Sequence, residues 1–218
     1  MDNYTLFRQQ IAETAKLYPE LKVSVLDGIE LLSGTFRVID DEGKEWNNFE
    51  IQIRFSKAFP YRFPQLVEIG GKIPKVADWH IYTTGACCIT IPLLEVISCR
   101  NGITVLQFIQ DHVKPYLFNQ AHRIEKGYYA HQEFAHGAYG ILEYYQELFN
   151  EKDMRKIIGY LNILKSTEFG KKTPCFCGRK AKFRKCHTEV FKIFRTIPGQ
   201  FIDDEIYRLG LLIPSISS

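Results

Sequence analysis

The sequence predicts an α+β fold: an N-terminal helix, an antiparallel meander and C-terminal helices, followed by a small knuckle. Three observations predict it. Residues 4–18 place Phe7, Ile11, Ala15 and Tyr18 at helical spacing. Residues 49–55 alternate strictly, with Phe49, Ile51, Ile53 and Phe55 against Glu50, Gln52 and Arg54. Cys175, Cys177, Cys186 and His187 then crowd into one short window. The first pattern has the period of a helix and the second that of a half-buried strand; the third is a set of metal donors.

Each element follows from its own pattern. Arg8, Glu13 and Lys16 lie off the apolar stripe of the first helix, and Pro19 ends it. From residue 23 to 69 the period is two: Phe36 and Val38 alternate with Arg37, and Asp40-Asp41-Glu42-Gly43 supplies a turn. Phe59-Pro60-Tyr61-Arg62-Phe63-Pro64 is an extended connector, because proline pushes its predecessor out of helical space. Leu66, Val67 and Ile69 form a last short strand before Gly70-Gly71. Residues 102–117 return to helical spacing, with Pro115 expected to terminate or kink the helix. A second helical stretch is expected over 121–149, broken or bent near Gly137 and Gly140.

Bulk properties bound the class. At 218 residues the chain suits one medium domain plus a small appendage, and 45% hydrophobic with 24% charged residues is ordinary for a globular protein. A net charge of +3 is weak evidence for a polyanionic partner. The start, Met1-Asp2-Asn3-Tyr4, lacks the basic-then-apolar pattern of a signal peptide, and no apolar run reaches membrane-spanning length. A cytoplasmic chain without a membrane partner is therefore expected. In that setting six cysteines are metal ligands or reactive thiols before they are disulfides. They divide into Cys87, Cys88 and Cys99 mid-chain and Cys175, Cys177 and Cys186 near the end, which implies two separate chemistries.

The mid-chain stretch Asp78-Trp79-His80-Ile81-Tyr82-Thr83-Thr84-Gly85-Ala86-Cys87-Cys88 has little periodicity. A cysteine pair behind a glycine, with an imidazole eight residues before the second thiol, suits an exposed nucleophile loop. Two small buried core thiols fit the same residues.

The order of elements, with the proline segment and Gly85-Ala86-Cys87-Cys88-Ile89, resembles the ubiquitin-conjugating enzymes. Phe59-Pro60-Tyr61-Arg62-Phe63-Pro64 looks like that family's Tyr-Pro-Phe-x-x-Pro-Pro signature, and the cysteine turn looks like its Gly-x-x-Cys-Leu. The resemblance covers roughly residues 5–120 and implies a nucleophile at Cys88. It implies a conjugating domain over 1–150, a helical linker over 151–170 and a zinc module with its tail over 171–218. In the family's His-Pro-Asn tripeptide the Asn stands where this chain has His80. An imidazole can donate to an oxyanion or take a proton from an attacking amine, so His80 is a catalytic candidate beside Cys88; bonding only the loop backbone is the alternative. Glu133 and His136, three apart on an expected helix, are an acid–base pair near the thiol, part of a metal site missing ligands, or a structural hydrogen bond.

Near the end, C-x-C, eight residues, then C-H supplies three sulfurs and an imidazole, a full tetrahedral set for zinc. Four protein donors leave no open position, so the expected cofactor is a structural zinc held by Cys175, Cys177, Cys186 and His187. The motif resembles the zinc-binding (SEC-C) tail of the SecA translocase ATPase, with Arg179-Lys180 in place of its Ser-Gly. Lys171, Lys172, Arg179, Lys180, Lys182, Arg184, Lys185, Lys192 and Arg195 surround it against Glu189 alone. Nucleic-acid contact, docking to an acidic protein and a merely solvated face all suit that charge.

What the resemblance implies is a carrier that holds a ubiquitin-like modifier as a thioester on Cys88 and passes it to an amine. Its partners would be an activating enzyme, the modifier and a protein target. The bacterial cast of the knuckle points by analogy to a prokaryotic pathway of the kind that serves antiviral defence. A non-catalytic binding module of the same fold and a nucleic-acid adaptor built on the knuckle are the alternatives.

Overall fold

A computed structural model of the protein describes residues 2–131, 133–166 and 172–213. It is a mixed helix-and-sheet chain that divides into two compact units. The first is Met1–Thr90 with Leu94–Glu133, and the second Ile91–Leu93 with Phe134–Ser218.

In the first unit, helix α1 (Asn3–Leu17) is capped by Asp2, whose carboxylate accepts from the Thr5 N–H at 2.9 Å, and it buries Phe7, Ile11 and Thr14. A four-stranded antiparallel sheet follows in the order β1-β2-β3-β4: β1 (Leu21–Leu26), β2 (Ile29–Ile39), β3 (Glu45–Arg54) and β4 (Gln65–Glu68). Phe36 pairs with Phe49, Gly34 with Ile51 and Leu32 with Ile53. The alternation in β3 puts Phe49, Ile51 and Ile53 wholly inside, each stabilising the fold by roughly 1.5–3 kcal/mol over an exposed position. They join Phe7, Ile11, Phe36, Leu66, Phe108 and Leu117 in one core.

After the sheet come α2 (Pro92–Cys99), α3 (Val105–Phe108), a π turn over Ile109–Val113, and α4 (Lys114–Lys126). Thr104 and Gln107 cap α3 reciprocally. Helix α2 is absent from the sequence reading. Pro115 neither ends nor breaks the helix: it sits in the first turn of α4, and the wider π turn before it accommodates a ring that has no N–H and crowds the carbonyl four residues back.

The expected helix over 121–149 is two helices. Helix α4 stops at Gly127, whose φ of +87° is the left-handed cap glycine favours, and α5 (Ala138–Phe149) begins eleven residues later. Glu133 and His136 therefore lie outside any helix, and the helical pairing expected of them does not form.

The second unit holds α5, α6 (Met154–Ser166), α7 (Phe183–Cys186), α8 (Thr188–Phe194) and α9 (Gly199–Gly210). Its interior is Ile141, Tyr145, Phe149, Ile157, Leu161, Val190, Ile202 and Leu209. Helix α6 covers most of the expected helical linker and packs against α5 and α9 through a buried apolar stripe. Residues 167–171, including Lys171, and 214–218 lie outside the described residues. Of the apolar tail, Leu209 is buried, whereas Leu211 is exposed.

Candidate functional site

The thiol loop is sewn to the free edge of β4. Ala86 bridges Val67 and Cys87 bridges Ile81, both antiparallel. The Cys87 N–H donates to the Leu66 carbonyl and the Glu68 N–H to the Gly85 carbonyl, each at 2.9 Å. The Cys88 N–H donates to the His80 carbonyl at 2.8 Å, so the loop is a tight hairpin with His80 and Cys88 facing each other at its base. Gly85 makes it possible. Its φ is +85°, and a Cβ there would sit 2.5 Å from the Glu68 carbonyl oxygen. His80 itself has φ +49°, directly after a single 3₁₀ turn over Ala77–Trp79.

The two adjacent thiols differ in environment. Cys87 packs against the core, and burial pushes its thiol up to about 12, outweighing the Tyr116 hydroxyl beside it. Cys88, like Cys87, is half-buried. Its thiol is raised by burial, partly offset by a hydrogen bond with the Tyr82 hydroxyl, while the carboxylates of Glu133 and Glu95 push it further up. A ring nitrogen of His80 lies within 4.8 Å of the Cys88 sulfur. His80 is only 8% exposed, so its ring faces the thiol in a partly dry setting.

Helix α4 holds this turn in place. Tyr116, Gln120 and Arg123 stand one and two turns apart, on one face. The Tyr116 hydroxyl donates to the His80 carbonyl at 2.9 Å, Gln120 to the Trp79 carbonyl at 3.1 Å, and Arg123 to the Asp78 carbonyl. Three consecutive carbonyls are thus taken up by three side chains of one helix. Arg123 also pairs with the Asp78 carboxylate and lies over the Trp79 and Tyr129 rings, 4.2 and 4.7 Å from their centroids. Helix α4 thus braces the backbone of residues 78–80.

Glu133 is fixed by Asn119, whose amide donates to it and whose carbonyl accepts from the His131 N–H at 3.0 Å. Burial raises its pKa against that bond. His136 falls in the second unit. Cys99 is wholly buried in the core, which pushes its thiol up to about 12. It is a packing residue.

In the second unit the four expected donors converge. The Cys175 sulfur is 3.0 Å from His187 Nδ1 and 3.3 Å from the Cys177 sulfur, and the Cys177 and Cys186 sulfurs are 3.5 Å apart. All four donor atoms lie within 4.8 Å of one another. A tetrahedral ion with metal–sulfur bonds of about 2.3 Å needs donors roughly 3.5–3.8 Å apart, so the cluster can hold a metal and its donor set is compatible with zinc. Local backbone builds it: the Cys175 N–H donates to the Ala181 carbonyl at 2.9 Å, and Gly178 turns the chain at φ +77°. Phe183 is buried beneath, and Phe176 stacks on His187 with centroids 5.2 Å apart.

No family model matches the chain. No curated protein matches it either. Among the described residues, no helix is long and apolar enough to cross a membrane.

Sequence reading missed Tyr82 and the α4 donors. Tyr82 is six residues before Cys88 and would have qualified as a neighbour only once the hairpin was known. The polar positions 116, 120 and 123 were visible as one helical face, but nothing local says which carbonyls they meet.

Proposed function

We propose that this chain is a UBC-like acyl carrier: Cys88 accepts the C-terminal carboxyl group of a ubiquitin-like modifier as a thioester and passes it to an amine of a protein target. The observation that carries the reading is a difference in neighbours between two equally half-buried thiols: Cys87 packs on the core, whereas the Cys88 sulfur lies beside the His80 ring. The order of helix, meander and thiol hairpin supports it. So does the Tyr82 hydroxyl, a donor poised for a sulfur anion.

With its pKa raised, Cys88 is a thiol near neutral pH, so attack needs a base. A neutral His80 takes the Cys88 proton as the sulfur adds to the thioester carbonyl on the activating enzyme. The activating enzyme's thiolate departs and takes the proton back from His80, which leaves the acyl–Cys88 bond and a neutral ring. In the second half the target amine adds to that carbonyl, gives a proton to His80, and expels the Cys88 thiolate as the amide forms. The chain's contribution is position and electrostatics: a held hairpin, an imidazole and a phenol.

In this account the zinc held by Cys175, Cys177, Cys186 and His187 is structural. A prokaryotic conjugation pathway, with an activating enzyme, a modifier and a target as partners, is the setting that the knuckle's likeness to a bacterial element supports. Incubation with ATP, the cognate activating enzyme and modifier should give a reductant-sensitive adduct on a non-reducing gel. The adduct should persist in Cys87→Ala and vanish in Cys88→Ala. Its absence with a demonstrably charged activating enzyme would leave a binding module instead.

A further inference from the structure

The loop between Cys177 and Cys186 contains Arg179, Lys180, Lys182, Arg184 and Lys185, five cations within seven residues and no acid. All five are exposed, and among the described residues none makes an ion pair; the pair nearest in sequence joins Lys192 to Glu189. The charges cannot spread apart, because the loop's ends are pinned where the Cys177 and Cys186 sulfurs stand 3.5 Å apart. Five like charges on a closed loop repel one another, and the fold bears that cost.

Two local uses fall short of explaining them. Three thiolates and an imidazole around a dication carry one net negative charge, and one cation offsets it. Arg179, two residues beyond Cys177, is the cation nearest to it in sequence and can fill that role. Packing is the other use, yet the remaining four side chains lie in solvent. Lys180, Lys182, Arg184 and Lys185 are surplus to the knuckle.

The apolar residues decide the partner. Phe183, Val190 and Ile197 are turned inward at 1%, 2% and 8% exposure. Phe176 is held between the Tyr160 ring at 4.5 Å and the His187 ring at 5.2 Å. An acidic protein partner would want an aromatic or aliphatic anchor at its centre, and a single strand would want an open ring to stack a base upon. The described side chains of this face offer neither. The phosphate backbone of a double helix asks only for cations. We propose that residues 179–185 form a docking surface for the phosphate backbone of double-helical nucleic acid, without reading its sequence. The inference is independent of the role given to Cys88.

The test uses the full chain, loaded with zinc, and a fluorescent 30-base-pair DNA duplex followed by anisotropy. Four phosphate contacts predict a slope of log affinity against log salt of about −3.6, a loss of roughly 150-fold between 50 and 200 mM salt. Arg184→Gln with Lys185→Gln should shrink the slope by about two units while zinc content and melting temperature stay unchanged; Lys180→Gln with Lys182→Gln serves as a second pair should the first lose metal. Duplexes of unrelated sequence should bind alike. No binding at 50 mM salt, a slope near zero, or neutralised variants that bind as before would overturn the proposal. So would a single strand of equal length binding more tightly than the duplex, which would mean stacking, or a poly-glutamate peptide binding as well as DNA, which would mean an acidic protein partner.

Discussion

Replacing Gly85 by alanine probes the hairpin on which the thiol site rests. The new Cβ would meet the Glu68 carbonyl oxygen at 2.5 Å and the Val67 side chain at 3.4 Å, at a φ of +85°. The left-handed conformation alone costs about 1–2 kcal/mol for a residue with a side chain. Relieving the oxygen contact means moving the two backbones apart by most of an ångström, which breaks the 2.9 Å bond from the Glu68 N–H to the Gly85 carbonyl and removes about 1 kcal/mol more. The total is roughly 2–3 kcal/mol. Gly71→Ala isolates the first contribution, since its φ is +74° and nothing lies within 4 Å of the added carbon. Urea unfolding of both variants should therefore show Gly85→Ala less stable by at least about 1 kcal/mol, a midpoint lower by several tenths of a molar or more. Gly85→Ala should also expose Cys88 to faster alkylation as the hairpin loosens. Equal midpoints for the two variants would refute the close approach of the loop to β4.

Three further outcomes follow from the same geometry. The Cys88 thiol lies above its ordinary 9.0, so its alkylation rate should still be climbing past pH 9; Tyr82→Phe removes a bond that lowers it and should slow alkylation at fixed pH, whereas a faster or unchanged rate would exclude the phenol from thiolate stabilisation. Glu205, buried and bonded by the Tyr145 hydroxyl, has its carboxyl raised by burial from 4.5 to about 7. Between those values the folded form keeps a proton that the unfolded form has lost, so stability is full below about 4.5 and falls by roughly 3 kcal/mol as pH rises to about 7. Glu205→Gln should flatten that decline in thermal melts at pH 5 and pH 8, and an equal decline in the variant would place the titration elsewhere. Purified chain should carry one zinc, and stripping it with a chelator should unfold the region around Phe176 and Phe183 while Cys88 alkylation is unchanged; protection of those amides surviving metal loss would mean that the thiols are merely packed.

What was legible in the sequence was what is local. Helix α1 and strand β3 declare themselves through periodicity because each buries one face, and the Cys175-to-His187 spacing names its donors without any fold. The misreadings come from contacts across long stretches of chain. Residues 127–137 contain many acceptable helix formers, but Asn119 captures His131 and Glu133, and Arg123 captures Tyr129, so that segment is drawn off the helical path after Gly127. Helix α2 starts at Pro92, a residue suited to a first helical turn, and spans only eight residues, too few for its period to stand out. Only the resemblance singled out Cys88 from Cys87 in the sequence; their neighbours, Tyr116 beside Cys87 and His80 beside Cys88, became visible with the fold. The α4 donor row was visible only as three polar residues on one face, since the carbonyls it meets lie about forty residues earlier.

The most direct test of the carrier role is the intact mass of Cys88→Ser after incubation with ATP, activating enzyme and modifier. Serine in place of the thiol should trap the acyl group as an ester, giving a mass increase of one modifier that survives reductant and is released by hydroxide. The same increase on Cys88→Ala, or none on Cys88→Ser when the wild-type chain is charged in parallel, would contradict that role.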